Sequence, residues 1–528
     1  MKIIMKKLNY YCKNLGAITV VIILIVSTLI KVFAVSGNNF AFTMDQGRDM
    51  TDIRQMVVTH TPRLVGPTTS INGVLLGPFW YYFNLPPFLA FGGNPAAIVF
   101  WQILWYQVSV VILWLVLKRK SISLATIIAI FLLLMPTGFN TARYFWNANS
   151  MTFFTIIYLA SLIVTVRNTT KKNLLVLGLV SGLAMQVEVA FGILFFPFAL
   201  LYLLIHKTGF KKILSLIIGF GLTLLPQVLF ELRHGFIMTK VLLNEFAGKG
   251  DMLGEKISLV ERFNQRWDHL HTLLLRSSHL PPNTIMQLFA LSLLVFIFIV
   301  IKKKAHTEAN RVWLLSFCFV VFTAIFYLLF PQKLKGWYTL GLSIPLAIFL
   351  SSFLNYLYEN KSKLLKVITM IILISTVYYS VKSQTDYLRD VASKPSNDPS
   401  NLQNEITDLN WVYQEAAGQG FNLYSYIPSV YDYPNQHVFW WYGTQKYGYQ
   451  PSDISYLPNQ PEYIIKGDLA WTKRKSLSEN QLTFLIIEKD REMPQREQAW
   501  LGNFSKLCLV KQHSFPWNAE VRMLSKCN

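Results

Sequence analysis

Acidic residues are scarce in this chain. Asp and Glu number 28 against 49 Lys and Arg, and all charged residues together make up 15% of 528 positions. A soluble protein carries about 25%. The shortfall, taken with long apolar runs, excludes an ordinary soluble domain and places the chain among multi-span membrane proteins. Cysteine is also rare. The four cysteines are Cys12, Cys318, Cys508 and Cys527, with no CxxC. That excludes a disulfide framework. Cys508 and Cys527 fall together near the C-terminus and are free to pair if that region is extracytoplasmic. The nine histidines form no HExxH, and His269 with His271 is a weak ligand pair that reads as solvated. No metal or other cofactor is expected. No internal repeat or low-complexity tract is present.

What is abundant is apolar and aromatic. Hydrophobic residues make up 53% and aromatics 15%, and the mean hydropathy is +0.36. The net charge of +21 does not point to nucleic acid. The lysines cluster in short loops between apolar segments, as cytoplasmic loops of membrane proteins do. No basic patch with interleaved aromatics remains once they are subtracted.

In order, a basic N-terminus with Lys2, Lys6, Lys7 and Lys13 precedes an apolar run at 17–35, long enough to span a bilayer. The run is too long for a signal peptide and lacks a clear cleavage site, so the N-terminus is expected inside. A polar stretch follows, and 45–60 has Ile53, Met56 and Val57 at helical spacing, which predicts an interfacial helix. The aromatic segment from Gly77, broken by Pro86 and Pro87, reads as a juxtamembrane helix. Further spans are expected at 96–117, 122–138, 151–166, 174–187, 189–205, 213–230, 284–301, 312–330, 337–358 and 367–381. Each loop assigned to the inner face is basic, and the only acids there are Glu308 and Glu359. The expectation is an all-α polytopic domain of about eleven spans, N-in and C-out. It comprises 1–382, with a first extracytoplasmic loop at 36–76 and an outer loop at 231–283. Residues 383–528 are polar, with strands expected at 463–466 and 482–488 and a helix at 402–417. They read as a small extracytoplasmic α/β domain.

Five outer-face stretches concentrate the polar groups. The first, Met44-Asp45-Gln46-Gly47-Arg48-Asp49-Met50-Thr51-Asp52, packs three acids and one arginine into nine residues. The others hold Arg143, Asn147 and Asn149; Gln186 and Glu188; Arg233 and His234; and Lys333 and Lys335. Ionisable groups at membrane depth are costly and are candidates for function. Each also has a plain reading. Asp49 and Asp52 can solvate an interfacial helix, with Arg48 pairing to Asp52 at i,i+4. Arg143 and Lys333 can be interfacial anchors. Asn147 and Asn149 can cap the helix that follows. Glu188, flanked by apolar residues, needs a partner or a wet cavity.

As a set, Asp45-Gln46-Gly47-Arg48-Asp49, Gly66-Pro67-Thr68-Thr69-Ser70, Gly77-Pro78-Phe79-Trp80-Tyr81-Tyr82, Trp146-Asn147-Ala148-Asn149 and Phe230-Glu231-Leu232-Arg233-His234-Gly235 resemble the GT-C membrane glycosyltransferases. The resemblance runs over roughly 15–380 and is nearest the family-39 type group. That group includes protein O-mannosyltransferases, the lipid A aminoarabinose transferase and rhizobial galacturonosyltransferases. It implies a polyprenyl-phosphate-linked sugar donor, a cell-envelope acceptor, a membrane-lipid setting and chemistry on the extracytoplasmic face. The family's first-loop acid falls on Asp45, implying a general base, with Arg48 and Asp49 as supports. Arg143, Asn147, Asn149, Glu188, Arg233, His234, Lys333 and Lys335 are then candidates for the donor phosphate and substrate. The chain departs from the pattern at Gln46, where several relatives have a second acid, and at Leu76-Gly77-Pro78, where the lipid A branch has Lys-Pro-Pro. A further acid of that branch falls near Asn149, which cannot ionise. Two other classes stay open: a lipid-linked saccharide flippase, and a non-catalytic assembly protein binding glycan through Phe439-Trp440-Trp441-Tyr442.

Overall fold

The structure is a computed structural model that describes residues 2–247, 255–301, 307–429, 431–458 and 482–527. The strand expected at 463–466 and the basic stretch 302–304 lie outside the described residues. The protein is mostly helical, with a small C-terminal sheet. Among the described residues, eight helices are long and apolar enough to cross a membrane, or nine when one bent pair is counted as a single span. Two expected spans fall on shorter elements: a 17-residue helix Lys171–Val187, and Val189–Gly192 followed by Phe195–Ile205.

The chain divides into two compact units. The first comprises Met1–Phe33, Leu64–Trp80 and Gln102–Leu388; the second comprises Ala34–Arg63, Tyr81–Trp101 and Arg389–Asn528. The second unit thus draws in the first polar loop and the aromatic helix, a grouping that a linear boundary at 382 does not contain.

In the first unit the expected span at 122–138 is broken. Its halves, Ile122–Leu134 and Pro136–Ala142, meet at 54°. Pro136 has no N–H to donate to Leu132, so the helix cannot continue. The stranded carbonyls are taken by side chains of other helices. Tyr106 donates to Leu132 O at 2.6 Å. Ser27 and Lys31 donate to Leu133 O at 2.7 and 3.0 Å. Gln384 donates to Leu134 O at 3.0 Å. In hydrocarbon each unmet carbonyl costs several kcal/mol. Beyond the break the chain leads directly to Arg143 and Asn147.

The loop expected at 231–283 holds two helices, Ile237–Phe246 and Leu259–Leu275. The second is amphipathic and pins the segment that carries Lys333 and Lys335. Arg266 donates to Phe330 O at 3.0 Å and Gln332 O at 2.7 Å, and Gln265 exchanges two hydrogen bonds with Leu334 at 3.0 and 3.1 Å.

Among the described residues of the second unit the strands are β1 Asn422–Tyr426, β2 Asp453–Ser455, β3 Thr483–Glu488, β4 Leu507–Ser514 and β5 Ala519–Lys526. They form one sheet in the order β2-β1-β3-β5-β4. β1 pairs in parallel with β2 and β3; β5 is antiparallel to β3 and β4. Tyr424, Tyr426, Leu485, Ile487, Trp500, Phe504 and Leu524 form a core on the sheet. A disulfide joins Cys508 in β4 to Cys527 just past β5, tying the edge hairpin. Helix Leu402–Ala416 lies where the sequence places one. Phe439, Trp440 and Trp441 are buried, so this aromatic run is core and not an open glycan-binding ledge.

Phe79–Ala90 is one helix despite Pro86 and Pro87. The Phe83 carbonyl, whose helical partner would be Pro87, accepts from the Trp101 indole at 2.9 Å. The expected interfacial helix runs over Met44–Val58. Gly47 brings it against the chain at Pro434, since a Cβ there would lie 2.4 Å from the Pro434 nitrogen.

The second unit also buries acids. Burial, and then the charges of Glu488, Asp408 and Asp398, hold the Glu405 carboxyl well above the carboxylate range. Burial raises Asp408 against the opposing hydrogen bond from Trp517. Burial and Asp398 push Glu488 up to about 7. Folded values above unfolded ones mean stability that is fully present below the unfolded pKa and lost as pH rises through the folded one. The melting temperature of this unit is therefore expected to fall between pH 5 and pH 8, with a flatter slope in Glu405→Gln. Tryptophan fluorescence during heating measures this; stability rising over that window would contradict the buried-acid account.

Candidate active site

The first-loop residues sit at the start of the Met44–Val58 helix. Thr43 precedes it, and the Gln46 side chain accepts from Thr43 N at 2.8 Å and Thr43 Oγ1 at 2.6 Å. Gln46 therefore closes the helix entrance. Its neighbours form an ion-paired cluster. Arg48 Nη1 lies 2.9 Å from Asp45 Oδ1, an i,i+3 spacing. Its Nη2 and Nε reach Asp49 Oδ1 at 2.8 and 3.0 Å. The Asp49 side chain is 2% exposed and that of Asp45 29%. Asp49 is thus the buried anchor and Asp45 the accessible member. Asp45 Oδ2 has no protein partner among the described residues. Burial works against the charge on Arg48, but Asp49, Tyr81 and Asp45 outweigh it and raise its pKa.

Arg48 does not pair with Asp52, contrary to the i,i+4 reading. Asp52 accepts from Tyr81 Oη at 2.5 Å and pairs with Arg63 at 2.8 Å. Burial, and then the charges of Asp52 and Asp49, lift the Tyr81 phenol well above its usual range, so it remains a donor. Arg54 is buried and donates to Gln436 O at 2.7 Å. Tyr81, Arg63 and Arg54 were missed in sequence. Arg54 carried a legible signal, being a cation among Ile53, Met56 and Val57.

The other candidates lie in the first unit. Asn147 and Asn149 do not cap the helix Asn147–Arg167 with their side chains; its N-cap is Trp146. Asn147 Nδ2 instead donates to Val187 O at 2.9 Å and Glu188 Oε2 at 3.3 Å, and Asn149 Nδ2 to Tyr144 O at 2.9 Å. Glu188, 8% exposed, stands in extended backbone between two helices and accepts from Ala190 N at 3.2 Å. Lys335, Tyr327 and Tyr338 lie within electrostatic reach of its carboxylate. Tyr327 Oη reaches Ala190 O at 2.9 Å and Tyr338 O at 2.8 Å, and Tyr338 Oη meets Ser70 Oγ at 2.7 Å. Trp146 meets Trp337 edge-on at 5.5 Å, with Lys335 Nζ 5.3 Å from the Trp337 ring centre. Three separated stretches, 144–149, 186–190 and 335–338, therefore converge around Asn147, Glu188 and Lys335.

Gln186 supports the group from below. It accepts from Phe79 N at 3.1 Å and donates to Thr223 O. A Cβ on Gly77 would lie 2.3 Å from its side chain, so only glycine fits at this point of Leu76-Gly77-Pro78.

The remaining candidates are separate. Arg143 lies 4.1 Å from each of the Phe139 and Tyr387 rings and donates to Phe139 O at 3.1 Å. Lys333 has an exposed side chain. Arg233 and His234 are exposed at the end of the helix Phe210–Arg233, where His234 stacks on Phe230 at 4.0 Å. The buried acid of that motif is Glu231, which accepts from Met238 N at 3.0 Å and Thr239 N at 2.9 Å and so caps the next helix. Among the described residues no three His, Cys, Asp or Glu side chains gather as a metal site, and His269 and His271 lie along the helix Leu259–Leu275.

Residues 78–230 match the family model described as dolichyl-phosphate-mannose-protein mannosyltransferase. No curated protein matches the chain. Among solved structures it is similar to ArnT from Cupriavidus metallidurans bound to undecaprenyl phosphate. The TM-score is 0.59 at 10% identity, over 95% of this chain and 97% of that one. The apo form of the same protein gives a TM-score of 0.59 at 12% identity, again over 95% and 97%. At such identities the likeness is one of fold. The likeness runs over nearly the whole of both chains, and the chain has the GT-C fold.

Proposed function

We propose that the protein is an inverting glycosyltransferase that moves a sugar from a polyprenyl-phosphate carrier to a cell-envelope acceptor, with Asp45 as general base. The observation that carries this reading is the Asp45 carboxylate, held through one oxygen by Arg48 while the other is open. In the reaction the open oxygen takes the proton of the acceptor hydroxyl as that oxygen attacks the anomeric carbon. The new C–O bond forms opposite the bond that breaks, and the lipid phosphate leaves with the electron pair. Phosphate is a good leaving group, so it needs cations more than an acid. Lys335, beside the Asn147–Glu188 pair, is the cation assigned to it; Arg143, Lys333, Arg233 and His234, which stand apart from that pair, are given no part in this step. Asn147, Asn149 and Glu188 are assigned to the sugar. Asp49 and Arg48 keep the base in place.

The likeness in fold to ArnT, whose structure holds undecaprenyl phosphate, and the family match over 78–230 support a polyprenyl-phosphate donor. The basic loops support a multi-pass plasma-membrane protein with about eleven spans, the N-terminus inside, and the site and the 383–528 domain outside.

Purified protein supplied with radiolabelled polyprenyl-phosphate sugars tests the base. Asp45→Asn is expected to lower release of lipid phosphate by about 10²- to 10⁴-fold; equal release by variant and wild type sinks the assignment. Stability separates this from misfolding. Asp45 is a partly exposed partner, and its loss is expected to cost less than about 1 kcal/mol. Arg48→Met strips the buried Asp49 of its guanidinium and is expected to cost about 3 kcal/mol. Thermal inactivation of the two variants compares them. For topology, a cysteine placed at Asn283 is expected to react with an impermeant reagent in whole cells and one at Lys303 is not; the reverse pattern overturns the outward-facing site.

A further inference from the structure

At the far end of the helix Asn147–Arg167 from Asn147, two loops of the first unit and the helix starts that follow them border an open cavity of about 750 Å³. The 21-residue helix puts this cavity about 30 Å from the Asn147–Glu188 pair, at 1.5 Å per residue. Lys171, Lys207, Lys211 and Lys212 line it, with His206 and Thr208, and no acid does. No ammonium group of these four lysines has a hydrogen bond or ion pair among the described residues. Lysines at the ends of membrane helices ordinarily spread into solvent. Here four exposed lysines, one in a loop and three in the first turns of two helices, line one groove, a concentration of positive charge that favours an anion.

Two further features point the same way. The helix Phe210–Arg233 begins at the cavity after Gly209, with no side-chain cap and no acid in its first turn. Its first N–H groups and the positive end of its dipole therefore remain open to an anion. Lys207 has φ +51. It closes the helix Phe195–Ile205, with Lys207 N bonded to Leu204 O at 3.0 Å and Thr208 N to Leu203 O at 2.9 Å. Glycine is the usual residue at such a turn, and a side chain there is strained. Keeping a lysine where the backbone favours glycine puts a charge at the rim despite that strain. The rim is also apolar, with Leu204 56%, Ile205 68% and Phe210 73% exposed. A free anion has no use for that surface, whereas acyl chains do.

We propose that this cavity binds the phosphate headgroup of an anionic phospholipid, with the lysines on the phosphate and the acyl chains along the exposed apolar residues. Recognition of this kind is available to basic pockets between membrane helices. The site is separate from the transfer chemistry.

The test uses the purified full-length protein. Native mass spectrometry measures retention of phosphatidylglycerol and of phosphatidylcholine, and thermal unfolding is followed with each lipid and with inorganic phosphate. Wild type is expected to retain phosphatidylglycerol several-fold better than phosphatidylcholine. K207G is expected to lose about fivefold in that retention, and the double variant K211Q/K212Q about twenty-five-fold. K207G places glycine at a positive φ, so it is expected to fold at least as well as wild type, which keeps loss of retention distinct from unfolding. Equal retention of the two lipids, or unchanged retention in K207G, overturns the proposal. Inorganic phosphate stabilising wild type as strongly as phosphatidylglycerol also overturns it, by assigning the cavity to a free anion.

Discussion

Pro136 cannot donate a backbone hydrogen bond, and it sits in a segment that is otherwise apolar from Ile122 to Met135. In a low-dielectric interior that single defect strands carbonyls which no water can reach. The fold answers it with side chains from three other helices: Tyr106, the Ser27–Lys31 pair and Gln384. The break thereby ties the first, the second and the last membrane helix to one point. It also redirects the chain into the short helix Pro136–Ala142, whose end presents Arg143 and, a few residues on, Asn147. A buried lysine inside a span, costly if left unmet, is explained here by the carbonyl it satisfies.

The same rule orders the polar groups elsewhere in the first unit. Gln186, Asn147 and Glu188 each spend their side chains on backbone or on one another. The Arg262–Gln265–Arg266 face of the helix Leu259–Leu275 does so for the carbonyls between Tyr327 and Leu334. The segment 327–334 is held by these part-buried hydrogen bonds, and the exposed Lys333 and Lys335 ride on or beside it. In the second unit the Arg48 fork performs the corresponding task with charge, binding a buried and a partly exposed carboxylate at once.

Much of this was legible beforehand because its cause is local. Apolar runs and basic loops identify helices that cross a membrane, since hydrocarbon admits few alternatives. The Met44–Val58 helix was legible from the spacing of Ile53, Met56 and Val57. Strand β3 and the helix Leu402–Ala416 were legible from their apolar patterns and flanking turns. The helical Pro86–Pro87 pair was not, because its tolerance depends on Trp101 taking the freed Phe83 carbonyl. The partners of Arg48 were not either. Helix geometry makes Asp45, Asp49 and Asp52 all reachable, and Tyr81 with Arg63 decides the matter by occupying Asp52.

The amino-acid sequence by itself determined the membrane-helical class, the crowding of acids around Asp45 and the polarity of the C-terminal region. These follow from composition and short-range periodicity, which survive any packing. Only the tertiary structure decided that 144–149, 186–190 and 335–338 meet in space, that Asn147 faces Glu188 rather than capping its own helix, and that Cys508 and Cys527 are joined. It also decided that Asp45 and not Asp49 is the open carboxylate. The physical reason is that burial and pairing are set by neighbours far along the chain. A side chain's chemistry depends on which of its possible partners arrive, and no local pattern records that.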